Sequence, residues 1–167
     1  MSIIAITGSV CSGKTTLSKL LARKLGFRYI SGSEVVEKYK LSLGYDRKRK
    51  CKIIDEKQFS KAVLKEIDGK DAVVDSHMSH YLPAKHVDLC IVTKCDIKEM
   101  KKRLSKRNYS QLKIKENIEC EIFDVCTSEA REFGHKVLVI STTKGINIEE
   151  ILGRLTKNGI KPSSNRT

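Results

Sequence analysis

The chain contains no tryptophan, and aromatic residues make up 5% of its 167 positions. A core must therefore be built mainly from Ile, Leu and Val, which suits a sheet covered by helices. The same scarcity argues against a nucleic-acid module that works by base stacking, because the four Phe and five Tyr stand singly and form no platform. No apolar run approaches the ~18 residues of a membrane span, Met1 to Ile6 is too short for the centre of a signal peptide, and no lipidation signal closes the chain. The six cysteines, at 11, 51, 90, 95, 120 and 126, form no C-x-x-C pair and have no ligand-spaced histidines, so neither a zinc site nor a disulfide framework is expected. These absences predict a soluble cytoplasmic protein with reduced thiols, also nuclear if the source is a eukaryote, and they make the Asn-x-Ser/Thr triplets at Asn108 and Asn165 chance matches.

Acidic residues are also in deficit. Twenty Asp and Glu face 33 Lys and Arg, a net charge of +13 that attracts polyanions, with nucleotides, RNA and acidic proteins all qualifying. What remains is a pattern of alternation. Strand-like runs at Ser2 to Thr7, Phe27 to Ser31, Asp71 to Asp75, Asp88 to Thr93 and Lys136 to Ser141 are separated by helical stripes. The stripes are Leu17, Leu20, Leu21, Leu25; Phe59, Ala62, Val63, Ile67; Ile97, Met100, Leu104; Ile114, Ile118, Ile122, Val125; and Ile148, Ile151, Leu152, Leu155. The expectation is an α/β fold with a parallel five-stranded sheet and helices on both faces, one domain over 1–156, and a flexible tail over 157–167 whose single large apolar residue is Ile160. Tyr39 to Lys52 and Lys106 to Lys115 fit the alternation poorly and read as substrate-covering insertions.

Gly8-Ser9-Val10-Cys11-Ser12-Gly13-Lys14-Thr15 matches G-x-x-x-x-G-K-[ST], the P-loop pattern. Such a loop wraps a phosphate so closely that its backbone N–H groups point inward, and the glycines supply the backbone freedom this needs. The helix that follows aims its N-terminal dipole at the phosphate, Lys14 is placed to reach the β- and γ-phosphates of ATP, and the Thr15 hydroxyl to ligate magnesium. An acidic partner should sit at the end of a buried strand; Asp75, after Ala72-Val73-Val74, fits that position and would orient magnesium through its water shell. Arg103 and Arg107, four residues apart on an expected helical face, are placed to stabilise the transferring phosphoryl group.

Thr93-Lys94-Cys95-Asp96 matches the [NT]-K-x-D pattern with which GTPases read guanine, and Ser141-Thr142-Thr143-Lys144 follows the last strand where such proteins carry another base-contacting loop. A GTPase also needs Asp-x-x-Gly after the acidic strand, whereas Met78 stands at that Gly position, and the spacing from Asp75 to Thr93 leaves no room for the usual intervening strand and helix. Lys144 is retained as a contact to the nucleotide base, since its loop lies near the same edge.

The chain resembles the atypical adenylate kinases of the adenylate kinase isoenzyme 6 type, also called coilin-interacting nuclear ATPase proteins, with archaeal counterparts. The resemblance is carried by Gly8 to Thr16; by Gly44-Tyr45-Asp46 with Cys51 and Ile54-Asp55-Glu56; by Val73-Val74-Asp75-Ser76-His77 with Pro83; and above all by Arg103-Leu104-Ser105-Lys106-Arg107-Asn108-Tyr109 leading into Glu116 to Phe123. It implies a monophosphate-binding segment at 31–54, a short lid at 106–116, a nucleotide-contacting Arg107 and a D-x-H motif formed by Asp75 and His77. It also implies donor-site contacts from Gly8, Cys11, Gly13, Lys14, Thr15 and Thr16, and a magnesium pair of Thr15 and Asp75. The implied activities are reversible transfer from ATP to AMP or a related monophosphate and a slow ATPase. The implied partners are a platform protein of the small ribosomal subunit and its precursor particle. The chain departs from the family in Ser33-Glu34, in Asn108, and in the basic run Arg47-Lys48-Arg49-Lys50, a place for RNA or ribosomal contact.

Overall fold

A computed structural model describes residues 1–107 and 109–163. Asn108 and Asn165, named above, lie outside the described residues. The main sheet contains β1 (Ile3–Gly8), β2 (Arg28–Ser31), β5 (Ala72–Asp75), β6 (Leu89–Lys94) and β7 (Val137–Ser141). They are parallel throughout and ordered β2-β5-β1-β6-β7. The expected five-stranded parallel α/β sheet is thus present. Because β1 is central and the chain departs from it to opposite sides, the loop after it opens at the switch point, where such sheets hold ligands.

Strand periodicity splits the core in two. Ile3 and Ala5 face one way, with Phe59, Val63 and Ile67 of α3 (Glu56–Ile67), Val35 and Val36 of α2 (Gly32–Lys38) and Ala130 of α6 (Val125–Glu132). Ile4 and Ile6 face the other way, with Leu17, Leu21 and Leu25 of α1 (Lys14–Leu25) and Ile151 and Leu155 of α7 (Ile148–Lys157). A smaller core of Cys95, Met100 and Leu104 joins α4 (Ile97–Ser105) to α5 (Gln111–Ile122) and packs Val10 and Cys11 of the P-loop against them.

Four expectations need correction. The stripe Ile114, Ile118, Ile122, Val125 does not form one buried helix face: α5 stops at Ile122, which is 58% exposed, and the chain turns at Asp124 with φ 52 to begin α6. Arg103 and Arg107 do not share a helix, because α4 ends at Ser105 and Arg107 lies beyond it. The region 39–52 is not irregular but contains an antiparallel hairpin, β3 (Ser42–Asp46) with β4 (Cys51–Ile54). Its turn forms because the Asp46 carboxylate accepts the backbone N–H groups of Lys48 and Arg49 at 2.9 and 3.0 Å. Finally, the segment expected to be a flexible tail is docked as far as Ser163: Ile160 is buried beside Leu155, and the Ser163 N–H donates to Leu25 O at 2.8 Å. One large apolar side chain with a receptive groove is enough to fix a short polar segment.

Candidate active site

The P-loop departs from β1 through backbone that side chains would obstruct. Gly8 has φ 138, and a Cβ there would stand 2.5 Å from the Thr93 carbonyl oxygen. Gly13 has φ 89 and opens α1 with no side-chain cap, leaving the first N–H groups of the helix free for an anion. Cys11 takes φ 64, a left-handed conformation uncommon for a residue with a side chain. The loop is held from behind by hydroxyls: Ser12 Oγ meets Thr93 Oγ1 at 2.6 Å, and Thr142 Oγ1 donates to Ser12 O at 2.7 Å. Thr93 therefore braces the loop rather than reading a base. Asp96, the last residue of that guanine-like motif, caps α4 by accepting from Lys98 N and Glu99 N.

A second brace comes from α5. Glu121, buried at 7% exposure, accepts from Ser9 Oγ through one oxygen at 2.7 Å and from the Cys95 N–H through the other at 2.8 Å. Asn117 Oδ1 accepts from the Val10 N–H at 3.2 Å. The sequence shows both residues inside the stretch that carries the family resemblance, yet assigns neither a role, because more than a hundred positions separate them from the loop they hold.

Two clefts open on the C-terminal edge of the sheet. One, of about 770 Å³, is lined by Cys11, Gly13, Lys14, Thr15, Thr16, Arg103, Lys106, Arg107, Gly145 and Ile146 among others. The other, of about 820 Å³, is lined by α2, β4 and the end of β5, including Lys19, Tyr29, Ser31, Glu37, Lys52 and Asp75. Lys14, Thr15 and His77 line both. The sequence-predicted residues line one cleft or the other, with two exceptions: Gly8 lies behind the loop against Thr93, and Lys144 is exposed and does not line the first cleft, whose edge is formed instead by its neighbours Gly145 and Ile146.

Lys14 Nζ donates to the carbonyls of Gly8 and Ser9, both at 2.8 Å, so the ammonium lies folded across the loop. Burial lowers its pKa, while the Asp75 carboxylate works in the opposite direction. Arg103 spans the first cleft: Nη1 donates to Cys11 O at 3.3 Å, Nη2 to Thr142 O at 3.2 Å, and Nε to Glu99 at 2.9 Å. Arg107 is freer, with a 3.3 Å contact to the Tyr109 hydroxyl. Asp75, nearly buried, accepts the Tyr29 O–H at 2.9 Å. His77 is open to solvent yet hemmed by the cleft walls, and this surrounding, followed by Lys14 and Lys113, lowers its pKa. The Thr15 hydroxyl and the strand-end Asp75 carboxylate line the same second cleft, and both are hard oxygen donors of the kind magnesium takes together with phosphate oxygens and water. The basic hairpin tip is partly spoken for, since Arg49 Nη1 pairs with Asp46 at 2.9 Å and its Nε and Nη2 pair with Glu116 of α5, Nη2 at 3.0 Å.

Sheet order, phosphate loop and paired clefts together define a P-loop kinase fold. The likeness to solved structures agrees: shikimate kinase from Acinetobacter baumannii in complex with shikimate superposes with a TM-score of 0.66 at 13% identity over 96% of each chain. Deoxyadenosine kinase from M. mycoides with bound dATP does so with 0.54 at 17% identity, over 93% of this chain and 100% of that one. A family model described as AAA domain matches residues 4–124. A protein of Thermococcus onnurineus named "Putative adenylate kinase" is 37% identical over 95% of this chain and 86% of its own. The "Adenylate kinase isoenzyme 6 homolog" of Caenorhabditis elegans is 37% identical over 77% of this chain and 72% of its own. The chain belongs to this adenylate kinase isoenzyme 6 family of AAA-domain proteins.

Proposed function

We propose that the protein is an ATP- and magnesium-dependent nucleoside monophosphate kinase, with AMP as the first acceptor to test. The observation that carries this reading is the pair of clefts meeting at Lys14, Thr15 and His77: one site for a donor, one for an acceptor, and the reacting groups at their junction. Phosphoryl transfer asks mainly for positioning and charge stabilisation. Lys14 turns from the loop carbonyls to the donor phosphates, and Arg103 and Arg107 approach them from the same cleft. Thr15 and Asp75 would hold magnesium, which would supply charge neutralisation at the phosphates. His77, kept neutral at pH 7 by its lowered pKa, orients the acceptor by a hydrogen bond. Segment 31–54 encloses the monophosphate and 106–116 serves as the lid.

A coupled assay with ATP and AMP, dAMP, CMP, UMP or GMP tests this reading; no phosphorylated product from any of them would overturn it. A second reading, an ATPase acting in small-subunit ribosome maturation, is favoured by the +13 charge and the exposed basic hairpin tip, both suited to an RNA-rich partner. In it, His77 orients water. Turnover that depends on AMP supports the kinase, whereas turnover stimulated by the ribosomal platform protein alone supports the ATPase.

A further inference from the structure

Cys120 lies near the end of α5 and Cys126 near the start of α6, and the turn at Asp124 folds the second helix back so that the two sulfur atoms stand 3.8 Å apart. Sequence spacing alone gave no hint of a pair, because the sulfurs meet only through that left-handed turn. Both cysteines are half-buried. Either sulfur can donate in this contact; with Cys126 as the donor, the bond pulls the Cys120 thiol down to about 6 against the opposing effect of burial. The same bond, together with burial, pushes Cys126 up. Lys14 favours a thiolate at Cys126, while Glu129 opposes one at both sulfurs and Glu121 at Cys120.

We propose that Cys120 and Cys126 form a covalent modification site, a dithiol that closes to an intramolecular disulfide by exchange with small-molecule disulfides. The Cys120 thiolate attacks one sulfur of the reagent, forming a mixed disulfide and releasing one thiolate, which takes the Cys126 proton. The Cys126 sulfur then attacks Cys120 and expels the second half of the reagent, which picks up a proton from solvent. Two protein thiols are oxidised and one disulfide is reduced to two thiols. An intrinsic rate advantage at Cys120 is small, about twofold, since the lower pKa that enriches the thiolate also weakens it as a nucleophile. The proximity of Cys126 is what commits the site to closure.

Closure has a consequence for the loop, an argument that rests on the nucleotide reading above. Reaching a bond length of about 2 Å requires the sulfurs to approach by nearly as much again. Glu121, next to Cys120 in the same turn, then loses its alignment on Ser9 and Cys95, and the phosphate loop loses one of its braces.

The test incubates the reduced protein with oxidised glutathione, alkylates the remaining thiols and maps the peptides. We expect a Cys120–Cys126 crosslink lighter by two hydrogens, reversed by dithiothreitol, and a mixed disulfide stalled on Cys120 in Cys126→Ser. We also expect Mg-ATP affinity about tenfold weaker in the oxidised protein, the factor expected for losing one hydrogen bond at the loop. Separate adducts on the two cysteines, or free alkylation of both, would overturn the site; a crosslink with unchanged nucleotide affinity would overturn its coupling to the loop. Failure of the reduced protein to bind Mg-ATP would speak against the nucleotide reading alone, because the peptide map does not depend on it.

Discussion

Replacing Glu121 with Ala should be among the most damaging single changes in the molecule, although Glu121 touches neither cleft. Its carboxylate accepts from Ser9 Oγ at 2.7 Å and from Cys95 N at 2.8 Å in a buried setting. Truncation leaves a hydroxyl and a backbone N–H without partners, and each such group costs about 1–3 kcal/mol when water cannot reach it. The hydroxyl can rotate toward another acceptor, so the expected loss is about 2–4 kcal/mol rather than the full sum. With a urea m-value of about 2 kcal/mol/M for a domain of this size, the unfolding midpoint should fall by about 1–2 M with m unchanged. Glu121→Gln keeps one acceptor but offers an amide N–H where a second acceptor is required, and should fall between the two. Mg-ATP affinity should drop in parallel, because Ser9 belongs to the loop. A midpoint for Glu121→Ala within about 0.3 M of the parent would refute the view that α5 braces the P-loop through this carboxylate.

Lys14→Ala should lower phosphotransfer by about 10²-fold or more while leaving urea stability nearly intact, and equal turnover in a coupled assay would refute its role. Tyr29→Phe removes the O–H that Asp75 accepts and should raise the magnesium concentration for half-maximal nucleotide binding about two- to tenfold, read by fluorescence titration. Ile160→Ala should cost about 2–5 kcal/mol, measured by thermal or urea unfolding, and a change near zero would refute the docking of the terminal segment. His80 gives a pH prediction. Burial lowers its pKa to about 4, its Nδ1 pairs with Thr7 Oγ1 at 2.8 Å, and its Nε2 stands 3.0 Å from Glu129 without the alignment of a hydrogen bond. The unfolded chain takes up this proton near pH 6.5 and the folded chain only near 4, so the group carries no penalty above 6.5 and loses stability as pH falls from there to 4, by up to about 3 kcal/mol. His80→Gln should show a shallower decline of the urea midpoint over that interval, and an identical decline would refute the assignment.

The chain's local chemistry determined a good deal by itself. The P-loop is legible because close wrapping of a phosphate demands glycines at fixed positions and a lysine and hydroxyl directly after them. The strands are legible because a sheet covered on both faces needs continuous apolar runs such as Ala72 to Val74. Asp75 could be picked out because a strand end beside the loop is a place the sequence order predicts. Other features depend on residues distant in sequence finding one another. The hold of Glu121 and Asn117 on the loop, the brace from Thr93 and Thr142, and the meeting of the two clefts at His77 are set by how α5, β6 and β7 pack. The same holds where a local pattern misled. Ile122 completes a helical stripe yet faces solvent, and Ile160, alone in a polar stretch, is buried, because burial is decided by whether a partner surface is present and not by periodicity.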